Sequence, residues 1–233
     1  LPIESTLKAS MTDQLNAEVV LGTVRNLKEA IAWLSYTYLY VRMLKNPTNY
    51  GVAFHEIQSD PMLTVRSKEL IEGSIKELAR AKMLRYNFET NNMNTTETGI
   101  VASHYYVKYA SLELYNQLVH PTMQDQDVFD VVARSAEFEN IQVRDEERQE
   151  LLHLLADCTQ VKIKLMDMEG EGILLDERTK VNILLQAYIS RAQVEGFALV
   201  ADMNHITQSA GRIFRALFEL ALKKGWVTLS ERL

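Results

Sequence analysis

The sequence predicts a mainly α fold: a winged-helix domain of three helices and a β-hairpin wing, followed by part of a larger helical bundle. Three observations predict it. Apolar residues recur at the helical period over most of the chain. A hairpin-like stretch, Leu84-Arg85-Tyr86-Asn87-Phe88 with turn chemistry in residues 89–94 and Thr95 to Thr98 with Ile100 as the returning strand, comes after the third long helix of the N-terminal half. From Ser111 onward the pattern is helical. The 233 residues, 47% hydrophobic and 24% charged, suffice for one large or two small domains with a sizeable core.

Residues 1–21 read as a linker leaving a preceding domain. Residues 1–10 hold one proline and little periodicity, and 13–20 form a short helix or strand that Gly22 breaks. The winged-helix domain is expected over 22–120. Its strong helix spans 26–45, where Leu27, Ala30, Ile31, Leu34, Tyr38, Val41 and Leu44 keep the period and Asn26 caps. Trp33, Tyr36, Tyr38 and Tyr40 on that helix are assigned to the core, because aromatic side chains dominate buried contact area. Asn46-Pro47 ends it, residues 50–59 are loop, and Asp60-Pro61 opens a helix running to about Met83. Charges of both signs on this last helix argue against a DNA-reading helix. His104, in an apolar-aromatic setting, reads as a hydrogen-bonded core histidine.

Residues 121–233 are expected as the helical part. Helices are predicted over 111–118, 126–136, 145–155 and 179–195, with 157–178 an exposed loop. The last helix, 202–226, is the most strongly amphipathic. Ile206, Ala210, Ile213, Leu217 and Leu220 form its apolar stripe, with Asp202 or Asn204 as cap and Gly225 as left-handed stop. Gln208, Arg212, Arg215, Glu219 and Lys223 share the opposite face, edged by the small residues Ser209 and Ala216. Two readings stand for that face: a solvated side of a core helix, or a surface that a phosphate chain approaches closely.

Several chemistries are excluded. A net charge of -6 leaves no global basic field, so any nucleic-acid contact is local. The single Cys158 forms no internal disulfide and reads as a small buried hydrophobe in a reducing compartment. There is no run of about 18 apolar residues, hence no membrane partner. The chain carries neither a phosphate-binding loop nor a G-x-G-x-x-G, and His55-Glu56 lacks the second histidine of a zinc motif. Asp145-Glu146-Glu147 and Asp176-Glu177 are read as solvated charge. Gln208, Gly211, Arg212 and Arg215 spell Q-x-x-G-R-x-x-R, the spacing of an ATPase arginine motif, but without a phosphate loop that role is rejected. The chain is expected to hold no catalytic residue, cofactor or metal.

The segments LPIES, LNAEVVLGTV, WLSYTYLYVRMLKNP, ASHYYV, YNQLVHPT, EFENIQVRDEE, VNILLQAYIS, EGFALVADM and ITQSAGRIFRALFELALKKGW resemble, in order, the large DExH helicases with two tandem motor cassettes. The resemblance covers nearly the whole chain. It implies a segment of a longer ATP-dependent RNA helicase, a winged helix followed by the N-terminal part of the helical ratchet domain. ATP and Mg would bind the RecA-like motor domains of the same protein. YNQLVHPT, GFALVADM and ITQSAGR look more like the spliceosomal branch of the family, in its N-terminal cassette, whereas AKMLRY and VKYASLELYN lean towards the branch of the activating signal cointegrator complex. The spliceosomal branch implies small nuclear RNA duplexes, other small nuclear ribonucleoprotein proteins as partners and a nuclear location. The family's ratchet helix touches the translocating strand. Ser209 and Arg212 match its contacting positions, and Gln208 and Arg215 lie beside them. A helical scaffold for protein interaction, favoured by the acidic net charge, is the reading of another class.

Overall fold

The polypeptide enters through a clamp. In the computed structural model, which describes residues 3–158, 160–163, 166–168 and 172–233 (side chains of 158, 166–168 and 172–174 excepted), Glu4 accepts two hydrogen bonds from the Arg42 guanidinium, at 3.0 and 2.7 Å. Asn46 Nδ2 at 3.1 Å and the Tyr50 hydroxyl at 2.8 Å complete its shell. These donors, led by Arg42, lower the Glu4 pKa to about 2.

In the stretch expected as linker, with only a short helix or strand over 13–20, residues Leu7–Leu21 form one helix, α1. Met11, Leu15 and Val19, one above another at four-residue spacing, are buried. Thr12 donates to Glu77 at 2.8 Å, fixing α1 on helix α5 (Thr64–Arg80). Gly22, at φ 77°, ends α1 in the left-handed conformation. Three well-spaced apolar residues among polar ones suffice for a helix whose other face meets solvent, and this weak periodicity explains the difference.

The helix expected over 26–45 is two: α2 (Leu27–Ser35) and α3 (Tyr38–Lys45). Asn26 caps α2 as expected, accepting from the Glu29 amide at 2.9 Å. Thr37 interrupts the run, because its extended backbone and side-chain bond to the Tyr40 amide start a new helix. This turn corrects the aromatic assignment. Tyr36 and Tyr38 are exposed, at 90% and 52%, and Trp33 and Tyr40 are half-buried, while the hydroxyls of Tyr38 and Tyr40 donate to the carbonyls of Ile3 and Met62. Residues 50–59 are also not all loop, since α4 spans Phe54–Ser59.

α5 packs against α1 and α2 through Ile71, Ile75 and Leu78. A wing forms, β1 (Leu84–Tyr86) antiparallel to β2 (Met93–Thr95) in the register Arg85↔Asn94, but its returning strand lies at 93–95, two residues inside the stretch expected as turn, and 97–100, expected to continue that strand, is already helix. The Met93 amide bonds the Arg25 carbonyl at 2.8 Å and the Leu27 amide the Asn91 carbonyl at 3.0 Å, tying the start of α2 to the hairpin. Helix α6 (Glu97–Tyr105) closes this unit, and His104 is exposed, not core.

The chain divides into two compact units at His104/Tyr105 rather than at 120/121. Helix α7 (Tyr109–Leu118) belongs to the second of them: Glu137 accepts from the Lys108 amide at 2.8 Å and from the Ser111 hydroxyl at 2.5 Å. Pro121 marks the end of a helix, and a helix end is not a domain end.

The second unit also holds α8 (Asp125–Ala133), α9 (Arg148–Cys158), α10 (Glu177–Ile189), α11 (Phe197–Lys223) and α12 (Val227–Arg232). α10 lies at its centre against α8, α9 and α11, with residues Thr179 through Ala187 all buried. A helix covered on every side has no polar face to keep. The region is not wholly helical: β3 (Met166–Met168) pairs antiparallel with β4 (Gly172–Leu174) inside the stretch expected as loop. The assignment of Cys158 to the core lies outside the described residues.

Candidate nucleic-acid interface

α11 is 27 residues long, about 40 Å at 1.5 Å per residue. It starts five residues before the expected cap. Gly196 is the N-cap, and Glu150 of α9 accepts from the amides of Glu195 at 2.7 Å and Gly196 at 3.1 Å, an acid at the positive end of the helix dipole. Asp202, expected as cap, instead accepts from the fully buried Lys180 ammonium at 2.7 Å. The expected stop holds, with Gly225 at φ 71°.

Ile206, Ala210, Ile213, Leu217 and Leu220 are buried as the stripe predicts. The four candidate residues fall into two pairs. Gln208 and Arg215 are exposed on the opposite side of the helix. Ser209 is only 6% exposed, and its hydroxyl accepts from Arg212 Nη2 at 3.2 Å. Arg212, half-buried at the border, also donates through Nη1 to the backbone carbonyl of Tyr106. Two fixed acceptors therefore orient the guanidinium of Arg212, while that of Arg215 lies on the open side. Ser209 and Ala216, expected at the edge of the polar face, are both buried, so the small residue open to approach is Gly211.

Sequence reading missed the segment that borders this face. Tyr105 is hydrogen-bonded to Glu219, and that bond with burial raises its pKa. Tyr106 comes next, in the left-handed region at φ 53° and 81% exposed. Its carbonyl contact with Arg212 spans 106 positions of sequence, which no local periodicity displays. Beneath it, Tyr115 bonds Ser135 at 2.5 Å, and burial pushes its hydroxyl well above the ordinary value. The second miss is Glu147, read as solvated charge. It is buried and accepts from Lys180 Nζ at 2.5 Å.

The arrangement offers one oriented guanidinium, a second on the open side, an amide side chain and a displayed aromatic ring along one helix border. A guanidinium is chemically able to hold phosphate or to stack on a base. Among the described residues no group of three or more metal-ligating side chains converges, and no helix is long and apolar enough to cross a membrane.

Comparison with known proteins gives two domains and a consistent set of relatives. Residues 95–233 match the Sec63 Brl domain, and residues 4–85 match a winged helix-turn-helix domain. The chain is 45% identical over 230 residues to the DExH-box ATP-dependent RNA helicase DExH14 of Arabidopsis thaliana, covering 99% of this chain and 10% of that protein. It is 44% identical over 232 residues to the U5 small nuclear ribonucleoprotein 200 kDa helicase of Homo sapiens, covering 100% and 10%. It is 42% identical over 231 residues to the activating signal cointegrator 1 complex subunit 3 of Dictyostelium discoideum, covering 99% and 10%. The chain thus spans about a tenth of the length of the curated relatives it matches.

Proposed function

The chain belongs to the Sec63 Brl domain family, and from that premise we propose that it is the winged-helix and partial ratchet segment of an ATP-dependent RNA helicase. In this reading α11 guides a single strand while motor domains elsewhere in the full-length protein bind ATP and Mg. The segment itself carries no catalysis. The observation that supports the reading is the pairing of Arg212 with Ser209 and the Tyr106 carbonyl, which aims a guanidinium from the helix border. Two neutral acceptors orient the guanidinium without themselves neutralising its charge, which suits phosphate.

The substrate of this reading is paired small nuclear RNA, opened in the nucleus during spliceosome activation alongside other proteins of a small nuclear ribonucleoprotein. Identity of 44% to the human and 46% to the Caenorhabditis elegans U5 small nuclear ribonucleoprotein 200 kDa helicase supports that choice. A second reading, the same segment of a cointegrator-complex helicase, is supported by 42% identity to that complex's subunit 3 in Dictyostelium discoideum and Bos taurus.

Duplex unwinding by the full-length protein carrying Ser209→Leu or Arg212→Leu tests the proposal. Strand separation per ATP hydrolysed should fall in both. An unchanged ratio would make α11 a core helix with a solvated face, and this segment a helical scaffold.

A further inference from the structure

The border of α11 displays one aromatic ring in a backbone conformation that a bulky side chain seldom takes. Tyr106 sits at φ 53° and is 81% exposed. Left-handed backbone at a large residue is strained, and strain of this kind persists only where the surroundings enforce it. Here the enforcement comes from three sides. Tyr105 is bonded to Glu219 of α11, the Tyr106 carbonyl accepts from Arg212 of α11, and the Lys108 amide donates to Glu137 at 2.8 Å. Arg212 and Glu219 lie seven residues apart, about 10 Å along the helix axis, so the segment runs beside α11 over two turns. Within it the Tyr106 side chain is the one turned to solvent. Glycine would take this φ without strain. The sequence instead puts there a rigid amphipathic ring, turned to solvent beside the arginine proposed to hold the strand.

We infer that Tyr106 is a base-stacking residue on the single-strand path along α11. The inference rests on the strand-guiding reading above and adds a contact of a different chemical kind. Arg212 meets phosphate, while the Tyr106 ring offers a flat apolar face to a nucleobase of any identity, so it grips without selecting sequence. Because Arg212 binds the Tyr106 carbonyl, the charged contact and the stacking contact keep a fixed spacing. A base leaving the ring and a phosphate leaving the guanidinium are then one event per step.

The test uses the full-length protein with single-stranded RNA carrying 4-thiouridine. After irradiation, the adducted peptides are sequenced by mass spectrometry, with unwinding and thermal stability measured on Tyr106→Phe, Tyr106→Ala and Tyr106→Gly. An adduct on Tyr106, kept in Tyr106→Phe, is expected. Tyr106→Ala and Tyr106→Gly should unwind roughly tenfold more slowly, as loss of one stacking platform implies. Their salt dependence of RNA affinity should be that of wild type, because no phosphate contact is lost. Tyr106→Gly should melt no lower than wild type, since it relieves the left-handed backbone, and this separates a stacking role from a structural one. Adducts on α11 without one on Tyr106, together with wild-type unwinding by Tyr106→Gly, would overturn the inference and leave the strand-guiding reading standing. Absence of adducts on both, with Arg212→Glu leaving RNA affinity unchanged, would overturn both.

Discussion

Lys180 Nζ and Glu147 Oε2 meet at 2.5 Å inside the helical unit, and the lysine side chain is 0% exposed. Asp202 of α11 at 2.7 Å and the Gln142 carbonyl at 2.8 Å complete the ammonium's three bonds. One side chain of α10 thereby joins the turn before α9 to α11. Burial opposes ionisation of Glu147, but the bonds from Lys180 and Arg144 outweigh it and hold its pKa below the ordinary carboxylate value. Removing one partner of a buried ion pair strands the other, which costs about 3–5 kcal/mol. Lys180→Met should therefore lower the unfolding free energy of the second unit by that amount, read from its urea midpoint and m-value. Arg144 binds the same two carboxylates from a side chain that is 44% exposed, and Arg144→Ala should cost no more than about 1 kcal/mol. Equal losses in the two variants would mean that burial is not what gives the network its value.

The Glu4 clamp gives a pH dependence to the first unit. Glu4 is lowered from 4.5 to about 2 by its bonds to Arg42, Asn46 and Tyr50. A depressed carboxylate stabilises the fold above its unfolded pKa and loses that contribution as pH falls through the folded one. The stability difference between wild type and Glu4→Gln should thus be full at neutral pH. It should close between about pH 4.5 and about pH 2, as tracked by the fluorescence midpoint in denaturant. A difference that stayed constant to pH 2 would remove the charge from the explanation.

Gly99 marks where α6 meets the wing most closely. A Cβ built there would lie 2.1 Å from the Met83 carbonyl oxygen and 2.9 Å from Asn16 Oδ1. The first of these is backbone and cannot swing aside. Asn16 also donates to the Gly99 carbonyl at 3.0 Å, so any shift of α6 breaks a buried hydrogen bond. Gly99→Ala should destabilise by at least the roughly 1–3 kcal/mol of ordinary overpacking, despite alanine's better helix propensity. A calorimetric melting temperature at or above wild type would contradict the packing argument.

The legible parts of this fold were those whose signal is local. The stripe Ile206, Ala210, Ile213, Leu217 and Leu220, the Asn26 cap, the Gly225 stop and the first wing strand at Leu84 each come from spacing or from one residue's backbone preference. The hidden parts depend on partners distant in sequence. Lys180 and Glu147 are 33 positions apart, and each alone is indistinguishable from a solvated charge. Tyr38 and Tyr40 are the residue type of a core, yet after the Thr37 cap neither is fully buried, and their hydroxyls bond the distant carbonyls of Ile3 and Met62. At the candidate interface the sequence supplied Ser209 and Arg212. Their coupling to Tyr106 needed the fold, because only α11 packing beside residues 105–108 brings that carbonyl to the guanidinium.

That coupling separates charge from orientation at Arg212. Lysine at this position keeps the positive charge, but a single ammonium on a flexible stem cannot engage the Tyr106 carbonyl and the Ser209 hydroxyl with the fixed fork of a guanidinium. If Arg212 acts only as a positive point near the strand, Arg212→Lys should bind and unwind RNA like wild type. If it acts as an oriented group, the outcome splits. RNA affinity and its salt slope should stay close to wild type, since the count of phosphate contacts is kept. Unwinding per ATP hydrolysed should fall several-fold, because each step then starts from a poorly held geometry. Ser209→Ala removes one of the two acceptors without touching the charge and should produce a smaller fall of the same kind. Parallel measurement of filter-binding affinity across salt and of unwinding coupled to ATP hydrolysis in these two variants decides the matter. A loss of affinity equal to the loss of unwinding would place the role of Arg212 in simple attraction rather than in orientation.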